Sequence, residues 1–276
     1  MLRPRSLLSR RTADKFFTAS HDSRLLRSRP SSPFASSHHA YHHHPFQSFQ
    51  SSPSSNGESV LWTLIGANTA VFLAWQIASP GPSLLPSLGS YKPRLRNFLT
   101  SNFLLSKQHL RAGHYWTLLT SAVSQMHLGH FVGNMFSLYA FGSVLTAFVV
   151  GPAHVATLAV GSALAGSIGF LWSQAGRSGP ATVALGASGM VMGMGSAAAC
   201  LAPRANMLLF GIVPCPLWVL VAGYAIYDSA MLGRPSVIGH AAHLGGLGFG
   251  VLYYFLRLRR FGGIGLRGIG NLRRFR

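Results

Sequence analysis

Long apolar stretches alternate with short polar or glycine- and proline-containing segments along most of the chain. A helix that crosses a membrane needs about 20 predominantly apolar residues. From Val60 onward, six stretches approach this length, and most are bounded by glycine or proline. We therefore predict an all-α membrane protein with six spans, at residues 60–78, 128–150, 154–172, 184–202, 206–227 and 240–257.

Two details modify this pattern of spans. Pro214 and Pro216 lie within the fifth stretch, and because proline lacks a backbone N–H, we expect them to kink that helix. The segment 79–127 is a long first loop. Within it, His114–Gln125 is apolar but too short to cross a bilayer, so we predict that it lies at the membrane interface.

Residues 1–57 differ in composition from the rest of the chain. They are rich in arginine and serine, poor in acidic residues, and lack the apolar core of a secretory signal. This composition is typical of mitochondrial and chloroplast transit peptides. We expect this segment to be disordered and removed, which leaves a six-span domain at 58–260 and a basic tail at 261–276. The arginine content favours the mitochondrial inner membrane, with a chloroplast membrane as the alternative.

Charge restricts the chemistry that the chain can perform. The formal net charge is +19, but the basic residues flank the apolar stretches and form no stripe on a folded face, so we predict no nucleic-acid partner. With so few carboxylates, paired-carboxylate catalysis and carboxylate-rich metal sites are nearly excluded. The acidic residues of the whole chain are Asp14, Asp22, Glu58 and Asp228.

Three polar motifs interrupt the predicted spans. A single polar residue in a span often only bonds a neighbouring helix or its own backbone, but a cluster usually marks a functional site. Spans two, four and six all start on the same side of the membrane, so motifs near their starts should lie at similar depth. The motifs are HLGHFVGN with His127, His130 and Asn134 on one helical face, GASG with Ser188, and GHAAHLGGLGFG with His240 and His243.

Glycines suggest how two of these motifs approach each other. Gly189 and Gly193 are four residues apart just after Ser188, and a second pair, Gly246 and Gly250, follows the histidine motif. Small residues at this spacing allow two membrane helices to pack backbone to backbone. We therefore predict that spans four and six meet through these two faces.

That contact would bring a serine and a base together. If the glycine faces meet, Ser188 Oγ can reach a ring nitrogen of His243, and a serine hydroxyl needs such a base to become a nucleophile. The side chains of His130 and Asn134, with the Ser188 backbone N–H, would donate hydrogen bonds to a developing oxyanion.

The combination of HxxxN at His130–Asn134, GxSG at Gly186–Gly189 and AHxxG at Ala242–Gly246 resembles the rhomboid family of intramembrane serine proteases. The resemblance extends from about Val60 to Arg257. It implies a six-transmembrane-helix rhomboid bundle that needs no cofactor and cleaves transmembrane segments of other proteins in the lipid bilayer. It also implies that Ser188 is the nucleophile and His243 its base, that His130 and Asn134 stabilise the oxyanion, and that Gly186, Gly189 and His127 support them.

Two positions depart from the family pattern. Trp116-Thr117 stands where the family commonly has a Trp-Arg pair, so the first loop is expected to be held differently. Met192 stands where many bacterial members have a tyrosine. A methionine here is similar to the mitochondrial presenilin-associated branch. Animal members of that branch often have a further span before the six; none is apparent here, which suggests a plant-type member.

Two other functions remain as alternatives. His127 with His130, and His240 with His243, form two HxxH pairs that could hold zinc, although no span contains a glutamate that could act as the base. A catalytically inactive rhomboid-like protein that binds membrane helices is the second alternative, since a fold alone does not establish an activity.

Asp228 is the only acidic residue that could extend the pair of Ser188 and His243 to a triad. It lies at the end of the fifth span, on the side of the polar motifs. The resemblance implies a dyad, and an aspartate at a loop end is usually solvated. We therefore expect Asp228 to be solvated and Asp228→Asn to keep most of the activity.

Overall fold

The computed structural model describes residues 55–79, 92–148, 150–176, 182–209, 212–234, 236 and 238–264. The chain divides into two units, Met1–Gln47 and Ser48–Arg276, and every described residue belongs to the second. The predicted transit segment up to residue 54, and the basic tail from residue 265, lie outside the described residues.

The described part of the chain is mostly helical. Helix α1 precedes three short helices in the predicted first loop, and five longer helices follow, with one β-hairpin between α7 and α8. A π-helical turn and a 3-10 turn, Tyr254–Leu258 and Arg259–Phe261, follow α9. The elements are α1 Ser55–Ala78, α2 Pro93–Phe103, α3 Lys107–Arg111, α4 Thr117–Thr120, α5 Leu128–Ala147, α6 Pro152–Ser173, α7 Ser188–Leu201, β1 Asn206–Leu209, β2 Val213–Pro216, α8 Leu217–Met231 and α9 His240–Tyr253.

The predicted spans correspond to α1, α5, α6, α7, α8 and α9. Within the described residues, α1 and α6 are long and apolar enough to cross a membrane, whereas α7 and α8 are apolar but have 14 and 15 residues. The helices therefore follow the apolar pattern, but among the described helices only α1 and α6 are both long enough and apolar enough to cross a membrane.

The fifth predicted span is wrong over its first half. Asn206–Leu209 and Val213–Pro216 are antiparallel strands in which Asn206 pairs with Pro216 and Leu209 with Val213, and α8 begins only at Leu217. Two prolines separated by one residue would each remove a helical hydrogen bond, so the chain forms an extended ladder instead of a kinked helix. Pro214 and Pro216 therefore precede the helix.

The prediction that His114–Gln125 lies at the membrane interface is also wrong for the second half of that segment. It forms α4 and a 3-10 turn, Ser121–Val123, and its last residues are buried inside the protein instead of lying on its surface. The Trp75 indole N–H donates a hydrogen bond to Ser124 Oγ over 2.8 Å, which attaches this segment to α1. The first loop thus contributes to the interior.

Helix α7 is the centre of the fold. It buries every residue from Gly189 to Leu201 except Met192, and it packs against α5, α6, α8 and α9. The predicted meeting of the two glycine faces is confirmed. A Cβ atom on Gly246 would lie 1.9 Å from the Gly189 carbonyl oxygen, and one on Gly250 would lie 2.0 Å from the Gly193 carbonyl oxygen. The backbones of α7 and α9 are therefore in direct contact.

Candidate active site

Ser188 is the first residue of α7. Backbone hydrogen bonds to two residues of the first loop hold the segment that precedes it. Leu105 and Ala184 exchange backbone hydrogen bonds of 2.9 and 2.8 Å, and the Gly186 N–H donates to the Ser121 carbonyl oxygen over 2.9 Å. Gly186 has a φ of +133°, which side chains rarely allow. This turn starts the helix four residues later than the predicted span. It leaves Ser188 at a helix N-terminus, where backbone N–H groups have no intrahelical acceptor.

A cavity of about 910 Å³ lies at this end of α7. Residues of the first loop, Leu105 and Ser121 among them, line it together with residues of α5, α7 and α9, so the first loop borders the cavity. Every residue that the sequence analysis assigned to the site lines this cavity: His127, His130, Asn134, Gly186, Ser188, Gly189 and His243.

Ser188 and His243 come from adjacent helices whose backbones touch one turn further along. Both side chains are half-buried at the cavity wall. No hydrogen bond joins Ser188 Oγ to a ring nitrogen of His243 among the described residues. Catalytic hydrogen bonds are often long before substrate binds and shorten in the complex. Ser188 and His243 therefore line the same cavity from adjacent helices.

His130 lies close to the turn that precedes Ser188. A Cβ atom on Gly186 would be 2.8 Å from His130 Cε1 and 3.4 Å from its Nε2, so the imidazole occupies the space that a side chain at Gly186 would fill. Asn134 is one helical turn further along α5 and is buried. His127 differs from the prediction, because it is the extended residue before α5 and not part of the helix. Only His130 and Asn134 share a helical face.

Asn134 is held by a chain of buried amides. Its Nδ2 donates to Gln125 Oε1 over 2.8 Å, and Gln125 Nε2 donates to Asn68 Oδ1 over 2.9 Å. Asn68 in turn donates to the Leu64 carbonyl oxygen over 2.9 Å. Asn68 and Gln125 are both fully buried. The chain orients Asn134 from α1 and from the first loop, and it leaves one further N–H of the Asn134 amide for another acceptor.

We expect Gln125→Leu to destabilise the protein. The substitution keeps the volume approximately but leaves Asn68 Oδ1 and Asn134 Nδ2 buried without their present partners. Each orphaned group costs about 1–3 kcal/mol in the free energy of unfolding. Thermal unfolding in detergent measures the effect. Gln108→Leu, on the exposed side of α3, is the matched control and should change stability by no more than about 0.5 kcal/mol; equal effects of the two changes would contradict the role of the amide chain.

The expectation that Asp228 is solvated is wrong. Asp228 lies in the last turn of α8 and is 1% exposed. One of its carboxylate oxygens is 2.6 Å from His240 Nδ1, and both oxygens lie 3.1–3.2 Å from His243 Nδ1. His240 is itself buried, and its Nε2 lies 3.0 Å from Ser236 Oγ. The candidate base is therefore connected to a buried carboxylate.

Sequence reasoning missed Asn68 and Gln125, although the signal that identified Asn134 was available for them. Both are amide side chains within apolar segments. The burial of Asp228 has no such signal, because a position at the end of a span does not indicate that other helices enclose it. Met192, one turn after Ser188, also lines the cavity.

The alternative of a four-histidine metal site gains no support from the geometry. In the part of the chain that the structure describes, the candidate group of three or more metal-ligating side chains is Asp228, His240 and His243, with ligand atoms within 4.8 Å. His127 and His130 are not members of that group, so the two HxxH pairs do not combine into one site.

Comparison with known proteins gives a consistent result. A family model described as a Rhomboid domain matches residues 112–260. Rhomboid protein 1, mitochondrial, of Saccharomyces cerevisiae is 32% identical over 212 residues, which cover 76% of this chain and 55% of that protein. RHOMBOID-like protein 12, mitochondrial, of Arabidopsis thaliana is 30% identical over 204 residues, which cover 68% and 55%.

An animal protein also matches. Presenilin-associated rhomboid-like protein, mitochondrial, of Homo sapiens is 27% identical over 206 residues, which cover 72% of this chain and 48% of that protein. The chain thus spans about half the length of the curated relatives it matches.

Proposed function

The chain belongs to the rhomboid family, in its mitochondrial branch, and from this membership and the geometry of the cavity we propose that it is an intramembrane serine endopeptidase. Its proposed substrates are transmembrane segments of other membrane proteins. The observation that carries the proposal is the cavity lined at once by Ser188, His243, His130 and Asn134. In a chain with four acidic residues, few other catalytic groups are available.

The proposed reaction begins at the N-terminus of α7. Ser188 Oγ attacks the scissile carbonyl carbon while His243 accepts the hydroxyl proton. The oxyanion of the tetrahedral intermediate receives hydrogen bonds from the Ser188 backbone N–H and from the side chains of His130 and Asn134. His243 then gives the proton to the leaving amine, and a water molecule hydrolyses the acyl-enzyme by the same steps in reverse.

The proposed membrane arrangement is a six-span bundle. Although α7 is short, it is enclosed by other helices, so its ends need not reach both membrane surfaces. The start of α7 then lies below one surface, and water reaches Ser188 through the cavity that the first loop borders. The mitochondrial relatives support a mitochondrial membrane. We propose the inner membrane, with the segment that precedes α1 as a transit segment, since α1 already begins at Ser55, within the predicted segment 1–57.

A fluorophosphonate probe tests the proposal directly, because it reacts with an activated serine and requires no knowledge of the substrate. The protein reconstituted in liposomes should be labelled at Ser188, as located by mass spectrometry, and should cleave a single-span reporter protein. Mitochondria containing the Ser188→Ala variant should accumulate uncut single-span proteins that are absent with the wild type. A folded wild-type protein that neither reacts with the probe nor cleaves would indicate the inactive, helix-binding alternative.

We expect Asn134→Ala to lower kcat by roughly ten- to a thousand-fold, as the loss of one oxyanion donor does. The KM should change little, because the lost hydrogen bond strengthens in the transition state. Cleavage kinetics in liposomes measure both constants. Asn206→Ala, at an exposed residue of the first strand of the hairpin, is the matched control. A kcat that Asn134→Ala leaves unchanged would remove Asn134 from the oxyanion site.

A further inference from the structure

Asp228 is a carboxylate in an environment that normally excludes one. It is 1% exposed, and an ionised group is buried in proteins only when it is paired. Its partners are two imidazoles from the next helix: His240 Nδ1 at 2.6 Å and His243 Nδ1 at 3.1 Å. Both histidines are on α9, three residues apart, and both approach with the same ring nitrogen. The three side chains form one hydrogen-bonded group.

This arrangement determines the tautomer of His243. An ionised carboxylate only accepts hydrogen bonds, so each Nδ1 must carry the proton. In a neutral imidazole the Nε2 atom is then the acceptor. For His240 that acceptor faces the Ser236 hydroxyl at 3.0 Å. For His243, an Nε2 free of its proton is the form that can take a proton from Ser188.

The distances between Asp228 and the two histidines fit hydrogen bonds better than ligands that share a metal ion. A zinc ion holds nitrogen and oxygen ligands at about 2.0–2.2 Å, which separates tetrahedral ligand atoms by about 3.4 Å. Asp228 Oδ1 and His240 Nδ1 are 2.6 Å apart, too close for that geometry but typical of a charge-assisted hydrogen bond.

The carboxylate is shared unequally. Its contact with His240 is shorter than either contact with His243, and Oδ1 serves both rings. We propose that Asp228 is a positioning residue for His243, that it holds this imidazole in the Nδ1–H tautomer, and that His240 competes with His243 for the same carboxylate. This inference rests on the proposed function, since it concerns the base of that reaction. The proposal replaces the expectation that the Asp228→Asn variant would keep most of the activity.

The experiment compares the rate at which a fluorophosphonate labels Ser188 in four reconstituted variants, together with kcat and KM for a single-span reporter. In Asp228→Asn the amide can accept from His240 while its NH₂ group faces His243, which imposes the wrong tautomer. We expect the labelling rate and kcat to fall by about 10²–10⁴-fold with KM changed less than about threefold, as when a tautomer-fixing aspartate becomes asparagine.

His240→Phe removes the competitor and keeps an aromatic ring against Tyr227, whose ring centre is 5.5 Å away. We expect it to raise the labelling rate by about two- to fivefold, because the carboxylate then serves His243 alone. In the double variant Asp228→Asn/His240→Phe, the amide oxygen is free for His243. Its labelling rate should exceed that of Asp228→Asn by about tenfold or more, which a loss of packing alone would not produce.

Ser196→Ala is the packing control, because Ser196 Oγ bonds the Gly193 and Leu247 carbonyl oxygens at the same α7–α9 contact and makes no hydrogen bond to His243 within the described residues. It should be labelled at the wild-type rate. Wild-type labelling of a folded Asp228→Asn variant would overturn the inference while leaving the proposed function intact. If Asp228→Asn does not fold, a His240→Phe variant that labels more slowly than the wild type overturns it equally. Absent labelling of the wild type would instead refute the proposed function.

Discussion

Ser188→Ala and His243→Ala are each expected to abolish cleavage of a membrane-anchored substrate, with losses in kcat on the order of 10⁴-fold or more. Alanine at position 188 removes the Oγ atom that is proposed to form the acyl-enzyme. Alanine at position 243 removes the proposed base for that hydroxyl. Because the two groups act in one step, the double variant should be no less active than either single variant. Reporter cleavage in liposomes and fluorophosphonate labelling measure these losses.

Ser196→Ala separates this effect from damage to α7. Ser196 is buried on the same helix, two turns beyond Ser188, and its hydroxyl bonds only backbone carbonyl oxygens. It should keep cleavage close to the wild-type rate. Full activity of Ser188→Ala, with the protein folded, would refute the assignment of the nucleophile and with it the proposed mechanism.

The second large effect concerns folding. Gly246→Val should prevent α7 and α9 from packing, because even the first carbon of the new side chain would lie 1.9 Å from the Gly189 carbonyl oxygen. The clashing atom belongs to the backbone, so it cannot move away by a change of rotamer as a side chain could. Overpacking of a core costs about 1–3 kcal/mol and occasionally more, and a clash with backbone belongs at the upper end. We expect a large loss of folded protein in detergent, measured by thermal unfolding and by size-exclusion chromatography.

Gly248→Ala provides the matched control for this change. It lies on the same helix two residues further on, and a Cβ atom there would meet no other atom within 4 Å. Alanine favours a helix over glycine by about 1 kcal/mol, so this variant should be slightly more stable than the wild type. If Gly246→Val unfolds at the same temperature as Gly248→Ala, the close contact of α7 and α9 is wrong.

The parts of the fold that depend on local pattern could be predicted from the sequence. The apolar stretches located α1, α5, α6 and α9 closely, because a long apolar run can satisfy its backbone in lipid only as a helix. The glycine spacing predicted the contact of α7 with α9. The three polar motifs identified the residues that line the cavity, since polar groups in apolar segments are rarely without a function.

The features of the fold and of the site that could not be predicted depend on contacts between segments that are distant in the sequence. Nothing near Asp228 in the sequence indicates that two histidines of the next helix enclose it, because that depends on how α8 and α9 pack. The pairing of Leu105 with Ala184 likewise joins positions 79 residues apart, and this pairing decides where α7 begins. The hairpin around Pro214 was predictable in principle, since two nearby prolines argue against a helix. The hydrophobicity of residues 206–227 hides this signal when spans are predicted from apolar length alone.

The chain of amides that holds Asn134 has a practical consequence for shortened forms of the protein. The family model begins at residue 112, but Asn68 and Trp75 belong to α1, and Leu105 also precedes that boundary. A fragment that begins where the family model begins would retain Ser188 and His243 but lose the residues that orient their neighbours. Expression of a shortened, folded form therefore needs a starting point at or before Ser55, the first residue of α1.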